Sequence, residues 1–199
     1  MRSMLQPGIS VLARLLGPMI AVLVLAPPAI AQDQARSTAD ADVPAAVPAD
    51  VESVDAILNA VYDVISGPAG EARDWDRMRS LFLPEARLIP SGTAPDGSTR
   101  YLVWSLEEYI SGAGGQLEAN GFFEREAFRV EERFGNIAHV FSTYESFRTV
   151  EEMEAGAAFV RGINSFQLLF DGTRWWVVQV YWQGETPDQP IPDRYLAGD

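Results

Sequence analysis

Val51, Val54, Ile57, Leu58, Val61, Tyr62 and Ile65 recur at spacings of three and four residues, which predicts an amphipathic helix with one buried stripe. Gly67-Pro68 ends that pattern. Residues 74–82 predict a second, shorter helix, with Asp74 as N-cap and Pro84 as its stop. A short strand is predicted at 86–89 and a Gly/Pro/Asp loop at 91–98. Residues 106–117 predict a third helix, capped by Ser105 with Glu108 in the capping-box position. Gly112, Gly114 and Gly115 predict a break in its second half.

Beyond residue 121 the period changes from helical to alternating. In 122–134, Phe128, Val130 and Phe134 fall on one parity and Arg129, Glu131 and Arg133 on the other, and Gly135-Asn136 reads as a turn. Further strands are predicted at 137–150, 159–170 and 174–183, the last two joined by the hairpin signal Asp171-Gly172. Helices first and strands afterwards define an α+β fold, here expected as three N-terminal helices on a strongly curved, mainly antiparallel sheet forming a cone-shaped barrel. The last two strands are apolar on both parities: Ile163, Leu169, Val178 and Val180 on one, Phe166, Leu168, Phe170, Val177 and Tyr181 on the other. A second covered face follows, with homodimerisation through the sheet as the simplest cover and the proline-rich tail or the first strand as the alternative.

Outside this domain, placed at 51–185, the chain is organised differently. Residues 1–31 read as a signal peptide: Arg2 and Arg14 precede an uncharged apolar stretch that ends in Ala29-Ile30-Ala31. That stretch, broken by Gly17-Pro18 and followed by Pro27-Pro28, is too short for a spanning helix, so a secreted or periplasmic protein without a stable membrane span is expected. Residues 32–50 lack apolar periodicity and read as a disordered tether, and 186–199 as a proline-rich C-terminal tail.

Removing residues 1–31 leaves 13 basic against 28 acidic side chains, a formal charge of −15. Such a charge repels phosphate backbones, so no nucleic-acid partner is expected. The chain has no Cys, which excludes disulfides and thiolate metal sites. Its lone His and scattered carboxylates predict no metal centre. No phosphate loop or nucleophile elbow is present, and no cofactor is expected.

Three segments together resemble the nuclear transport factor 2-like superfamily, which includes ketosteroid isomerases and SnoaL-like polyketide cyclases. They are the opening helix around 57–65, the run Trp75-Asp76-Arg77-Met78-Arg79-Ser80-Leu81-Phe82-Leu83-Pro84-Glu85-Ala86-Arg87-Leu88, and the ending Phe166 to Gln183, in which Asp171-Gly172-Thr173-Arg174-Trp175-Trp176-Val177-Val178 resembles the family's turn and aromatic-led last strand. The resemblance implies a pocket between helices and sheet. In isomerase-like members it also implies an acidic base after the first strand and a Tyr on the first helix as oxyanion donor. Tyr62 matches the latter, whereas Arg87-Leu88-Ile89-Pro90-Ser91 offers no carboxylate for the former.

His139 is the only side chain whose ordinary pKa lies near neutrality, and Gln167 is its expected cross-strand neighbour. The candidate catalytic set is therefore His139, Tyr62 and Gln167. Trp104, Tyr109, Phe122, Phe141 and Asn164 are the candidate ligand contacts, and their aromatic character favours an apolar pocket. Three functions remain open: an exported domain that binds a small apolar ligand; an isomerase, cyclase or dehydratase with His139 as general base; and a protein-interaction domain using the sheet face.

Overall fold

A computed structural model describes residues 37–38, 41–94 and 96–196. The segment read as a signal peptide lies outside the described residues, as do residues 32–36 and 39–40 of the stretch read as a tether. Helix α1 spans Pro48–Val51 and α2 spans Val54–Ile65; Ser53 caps α2 by accepting from the Ala56 amide at 3.0 Å. The predicted stripe is buried, with Val54 and Ile57 fully enclosed. Helix α3, Trp75–Leu81, starts at its predicted cap: Asp74 accepts from the Arg77 amide at 2.8 Å.

The predicted third helix is broken where its glycines fall. Helix α4 (Leu106–Tyr109) carries the full capping box of Ser105 and Glu108, a π-helical turn spans Ile110–Gly114, and α5 covers Gly115–Asn120. Packing requires a small residue in this turn, because a Cβ on Gly114 would lie 2.9 Å from the Trp75 ring. A further short helix, α6 (Val150–Glu154), occupies the acidic connection between strands.

The strands are β1 (Phe82–Thr93), β2 (Thr99–Tyr101), β3 (Phe123–Phe134), β4 (Ile137–Phe147), β5 (Val160–Phe170) and β6 (Trp175–Gly184). Their order is β2-β1-β6-β5-β4-β3, with β1 and β6 parallel and the other pairs antiparallel. The expected cone-shaped barrel is not what forms. The six-stranded sheet is mixed, open and not strongly curled, and its two edges, β2 and β3, do not meet. The inner face has no need of closure, because α2 and α3 cover it instead.

Strand β1 is three times longer than the predicted segment and runs through Pro84. Between Phe82 and Arg87 its register with β6 is interrupted, so the missing Pro84 N–H breaks no ladder bond. A second irregularity, between Gln167 and Leu168 opposite β6, changes the facing of that strand. Val177 and Val180 both turn into the core, whereas Val178 and Tyr181 are 36% and 45% exposed. The two-faced apolar pattern is therefore real, but its residues divide differently from a strict alternation. No helix among the described residues is long and apolar enough to cross a membrane.

One buried guanidinium joins helices to sheet. Among the described residues its guanidinium, on Arg73, donates only to backbone carbonyls: Nε to Ile65 at 3.1 Å, Nη2 to Gly67 at 2.6 Å and Leu117 at 3.3 Å, and Nη1 to Glu71 at 2.6 Å and Pro68 at 3.5 Å, while the Arg73 amide donates to Glu118 Oε1 at 3.1 Å. The guanidinium thus satisfies carbonyls left over where α2 and α5 end. Gly67 must be Gly here, since a Cβ would sit 2.6 Å from Arg73 Nη1. Gly67 in turn exchanges two backbone bonds with Phe122, at 2.7 and 3.0 Å, which fixes the start of β3. Arg73→Ala is expected to destabilise the domain by about 3 kcal/mol, through the stranded carbonyls. Arg73→Lys should restore less than half of that, because an ammonium cannot reproduce the planar fork. Urea unfolding midpoints measure both, and equal stability of Arg73→Ala and wild type would refute the role given to this residue.

Candidate functional site

Between α2, the α4–α5 segment and the inner face of the sheet lies a hollow of about 400 Å3. Its walls are mainly aliphatic and aromatic. Trp104 is placed by two backbone bonds to Leu88, at 2.9 and 3.0 Å. Tyr109 projects from α4 between the Trp104 and Trp182 rings, with centroids 6.2 and 6.3 Å away and edge-to-face tilts. Phe122 closes one side, and Phe166 lies edge-on to Tyr62 at 6.0 Å.

The polar atoms of the hollow gather at one end. Glu124 stands at the start of β3, and its amide donates to Ser66 Oγ at 3.0 Å, while Ser66 Oγ donates to the Tyr62 carbonyl at 2.6 Å. The end of α2 thereby sets Tyr62 and Glu124 side by side. Asn164 Nδ2 donates to Tyr62 Oη and to Glu124 Oε1, both at 3.1 Å, and Ser146 Oγ donates to Glu124 Oε2 at 2.8 Å. Ser142 Oγ lies 2.7 Å from Tyr62 Oη and donates to Glu126 Oε2 at 2.5 Å. Ser142 has a single proton, so Tyr62 is the donor toward Ser142. The hydrogens of Tyr62, Asn164 and Ser146 at this end are all committed within the protein.

Glu124 and Glu126 sit two residues apart on one strand in unlike surroundings. Arg129 Nε lies 3.0 Å from Glu126, which lies toward the surface. Burial lifts the Glu126 pKa, while Ser142 and Arg129 pull it back. Glu124 pairs with no Arg among the described residues. Although part of its surface is open to the hollow, the protein crowded around it makes ionisation costly, and burial raises its pKa to about 7 against the downward pull of Ser146 and Asn164. Burial, and then the charge of Glu124, raise the pKa values of Tyr109 and Tyr144; Tyr62 is raised by the same two causes. None of these phenols titrates near neutrality, whereas Glu124 does.

Of the residues singled out from the sequence, Tyr62, Trp104, Tyr109, Phe122 and Asn164 are brought together around this hollow. His139, Gln167 and Phe141 are not. His139 pairs with Gln167 across β4 and β5 as expected, but both belong to the parity opposite Val140, Ser142 and Phe166, on the outer face of the sheet. His139 Nε2 is 3.1 Å from Ser165 Oγ, Gln167 is exposed, and the Phe141 ring stacks at 4.9 Å on Tyr195 of the tail. Phe141 lines a separate space of about 350 Å3 beneath that tail. A set of His139, Tyr62 and Gln167 therefore does not converge on one substrate atom.

Sequence reasoning missed Glu124, Ser142 and Ser146. The signal for Glu124 was its parity with Phe122 on a strand entered from an apolar pair, but its neighbours Arg125 and Glu126 gave the segment a solvated look. Among the described residues no group of three or more His, Cys, Asp or Glu is arranged to hold a metal ion.

No family model and no curated protein matches the chain. Several solved structures are similar to it, and they include proteins of the nuclear transport factor 2-like kind that the sequence resembles. An NTF-2-like protein of unknown function from Silicibacter pomeroyi is 14% identical, with a TM-score of 0.46, over 67% of this chain and 94% of that one. A nuclear transport factor 2-like superfamily protein from Salmonella enterica is 17% identical, with a TM-score of 0.45, over 69% and 92%. An uncharacterised protein with a cystatin-like fold from Caulobacter vibrioides is 12% identical, with a TM-score of 0.46, over 69% and 90%.

The raised pKa of Glu124 has a consequence for stability. Between the unfolded carboxyl pKa, near 4.3, and about 7, the folded protein holds a proton at Glu124 that the unfolded chain has lost, so this group's contribution falls as pH rises. Glu124→Gln removes the titration. Its stability relative to wild type is expected to improve by roughly 2–3 kcal/mol between pH 4.5 and pH 8. Chemical denaturation of both proteins at the two pH values measures the difference, and a pH-independent difference would show that Glu124 titrates normally.

Proposed function

We propose that the hollow is the binding site of a small, largely apolar molecule carrying one polar group, with Glu124 as the polar anchor. The observation that carries this reading is a space of about 400 Å3 with apolar walls and a single cluster of polar atoms at one end. That size and lining suit an organic ligand, since ligand pockets run from about 300 to 1,000 Å3. An isomerase, cyclase or dehydratase ranks second. Its base would be Glu124 rather than His139, for Glu124 can take and return a proton near pH 7. What weighs against it is the phenol of Tyr62, whose hydrogen is directed to Ser142 and so is not free to stabilise an oxyanion.

We further propose a homodimer through the outer sheet face. Val130, Phe134, Ile137 and Tyr181 are 40%, 83%, 57% and 45% exposed there, and the tail covers only the part near Phe141. Burial in a second copy would remove that apolar surface from water, whereas a protein-interaction role would need the face free in the isolated protein.

Two measurements test these readings. The neutral dye N-phenyl-1-naphthylamine is expected to brighten on entering the hollow, and Ala113→Trp, which fills it from the π-helical turn, should weaken the dye at least tenfold with little change in melting temperature. Equal binding by the variant would place the dye, and the site, elsewhere. In sedimentation velocity the protein is expected to run as a dimer and Phe134→Glu to shift it toward monomer; a concentration-independent monomer in the wild type would remove the dimer.

A further inference from the structure

The proposed ligand site also carries information about the head group it takes, an inference that rests on the binding reading above. We infer that the hollow recognises an organic ammonium: an apolar molecule whose protonated amine sits between the Glu124 carboxylate and the rings of Tyr109, Trp104 and Trp182.

The argument starts from which hydrogens are already in use. At the polar end, both Asn164 Nδ2 hydrogens go to Tyr62 and Glu124, the Ser146 hydroxyl goes to Glu124, and the Tyr62 hydroxyl goes to Ser142. A ligand arriving with an acceptor, such as a ketone or a carboxylate, finds the donors of Asn164, Ser146 and Tyr62 engaged, and the Tyr109 hydroxyl is the phenol lining the hollow that is left to meet it. A ligand arriving with donors meets Glu124, whose two oxygens each accept one bond from the protein and retain lone pairs. The second step is charge. No Arg among the described residues pairs with Glu124, in contrast to Glu126 beside Arg129. Ionised Glu124 in an apolar hollow is an uncompensated charge, and a cation brought to it relieves that cost, whereas an anion adds to it. The strongly acidic chain, with a formal charge of −13, attracts cations at longer range as well.

The third step is the wall. The rings of Trp104, Tyr109 and Trp182 stand edge-to-face in sequence around the hollow, with centroids about 6 Å apart. Faces of such rings attract ammonium groups, and Tyr109 is near enough to Glu124 for the carboxylate charge to raise its phenol pKa. Among the groups packed against Glu124, Tyr62 from α2, Tyr109 from α4 and Tyr144 from β4 stay protonated through the neutral range, and Glu126 lies on the same strand. Binding of a permanently charged ammonium therefore requires loss of one proton, from Glu124. With that pKa at about 7, the affinity falls about tenfold between pH 8 and pH 6, where an ordinary primary amine remains protonated in solution.

The test is a matched trio of one shape with three heads: 1-naphthylmethylamine, 1-naphthalenemethanol and 1-naphthoate, titrated calorimetrically into the folded protein. At pH 8 the amine is expected to bind at least tenfold more tightly than the carboxylate, and its affinity to drop about tenfold at pH 6 while that of the alcohol changes less than threefold. In Glu124→Gln, shown to be folded by circular dichroism, amine and alcohol should bind within threefold of each other and the pH dependence should vanish. Binding of the alcohol without preference for the amine, or a preference that survives Glu124→Gln, overturns the ammonium inference and leaves the binding site standing. Failure of all three compounds to bind overturns both. The pH profile of the wild type decides the matter even if Glu124→Gln does not fold.

Discussion

The geometry of this domain hangs on a buried guanidinium that forms no ion pair among the described residues. Arg73 is buried, yet its guanidinium meets only backbone carbonyls from the end of α2, the loop after it, and α5. A fork of five N–H donors is suited to such a junction, where several carbonyls converge from chain ends that no ladder can satisfy. Because Gly67 is clamped against Arg73 and bonded to Phe122, the place where α2 stops is also the place where β3 starts. Ser66 then ties the first turn of that register to Tyr62. The separation of Tyr62 from Glu124, on which the polar end of the hollow depends, follows from this junction.

What the chain disclosed in advance was local chemistry. Asp74 and Ser105 cap helices because their oxygens reach the amide three residues on, a property readable from a four-residue window. Asp171-Gly172 made its turn for the same reason, with Asp171 Oδ1 accepting from the amides of Thr173 and Arg174. Facing was less legible, because a single irregularity between Gln167 and Leu168 exchanges the roles of Val177 and Val178. Closure of the sheet was not legible at all: whether two edges meet is decided by what covers the inner face, and here α2 and α3 cover it.

The site divides along the same line. Its aromatic half could be read, since Trp104, Tyr109 and Phe122 are large apolar side chains that flank helices and strands and must be buried somewhere. Its acidic half could not. Glu124, Arg125 and Glu126 look like one exposed charged run, and only the fold separates them: Arg125 turns outward to Glu145, Glu126 takes Arg129, and Glu124 is left with neutral donors. His139 misled for the complementary reason. Its ordinary pKa made it conspicuous in the chain, but strand parity put it behind the sheet, with Ser165 for company.

Two carboxylates on one strand thus acquire different ionisation behaviour without differing in sequence environment. A chain of hydrogen bonds runs between them, from Asn164 through Tyr62 and Ser142, with its donors directed toward the carboxylate at each end. Such a chain does not pass a proton readily, because one member is an amide whose nitrogen is a poor base. Glu124 and Glu126 are accordingly coupled through position and not through proton exchange. Burial raises the pKa of both carboxyls, but Arg129 pulls that of Glu126 back down and has no counterpart beside Glu124 among the described residues. That difference leaves a strongly acidic protein with one inner carboxyl whose ionisation is set by burial and neutral donors, not by a neighbouring cation among the described residues.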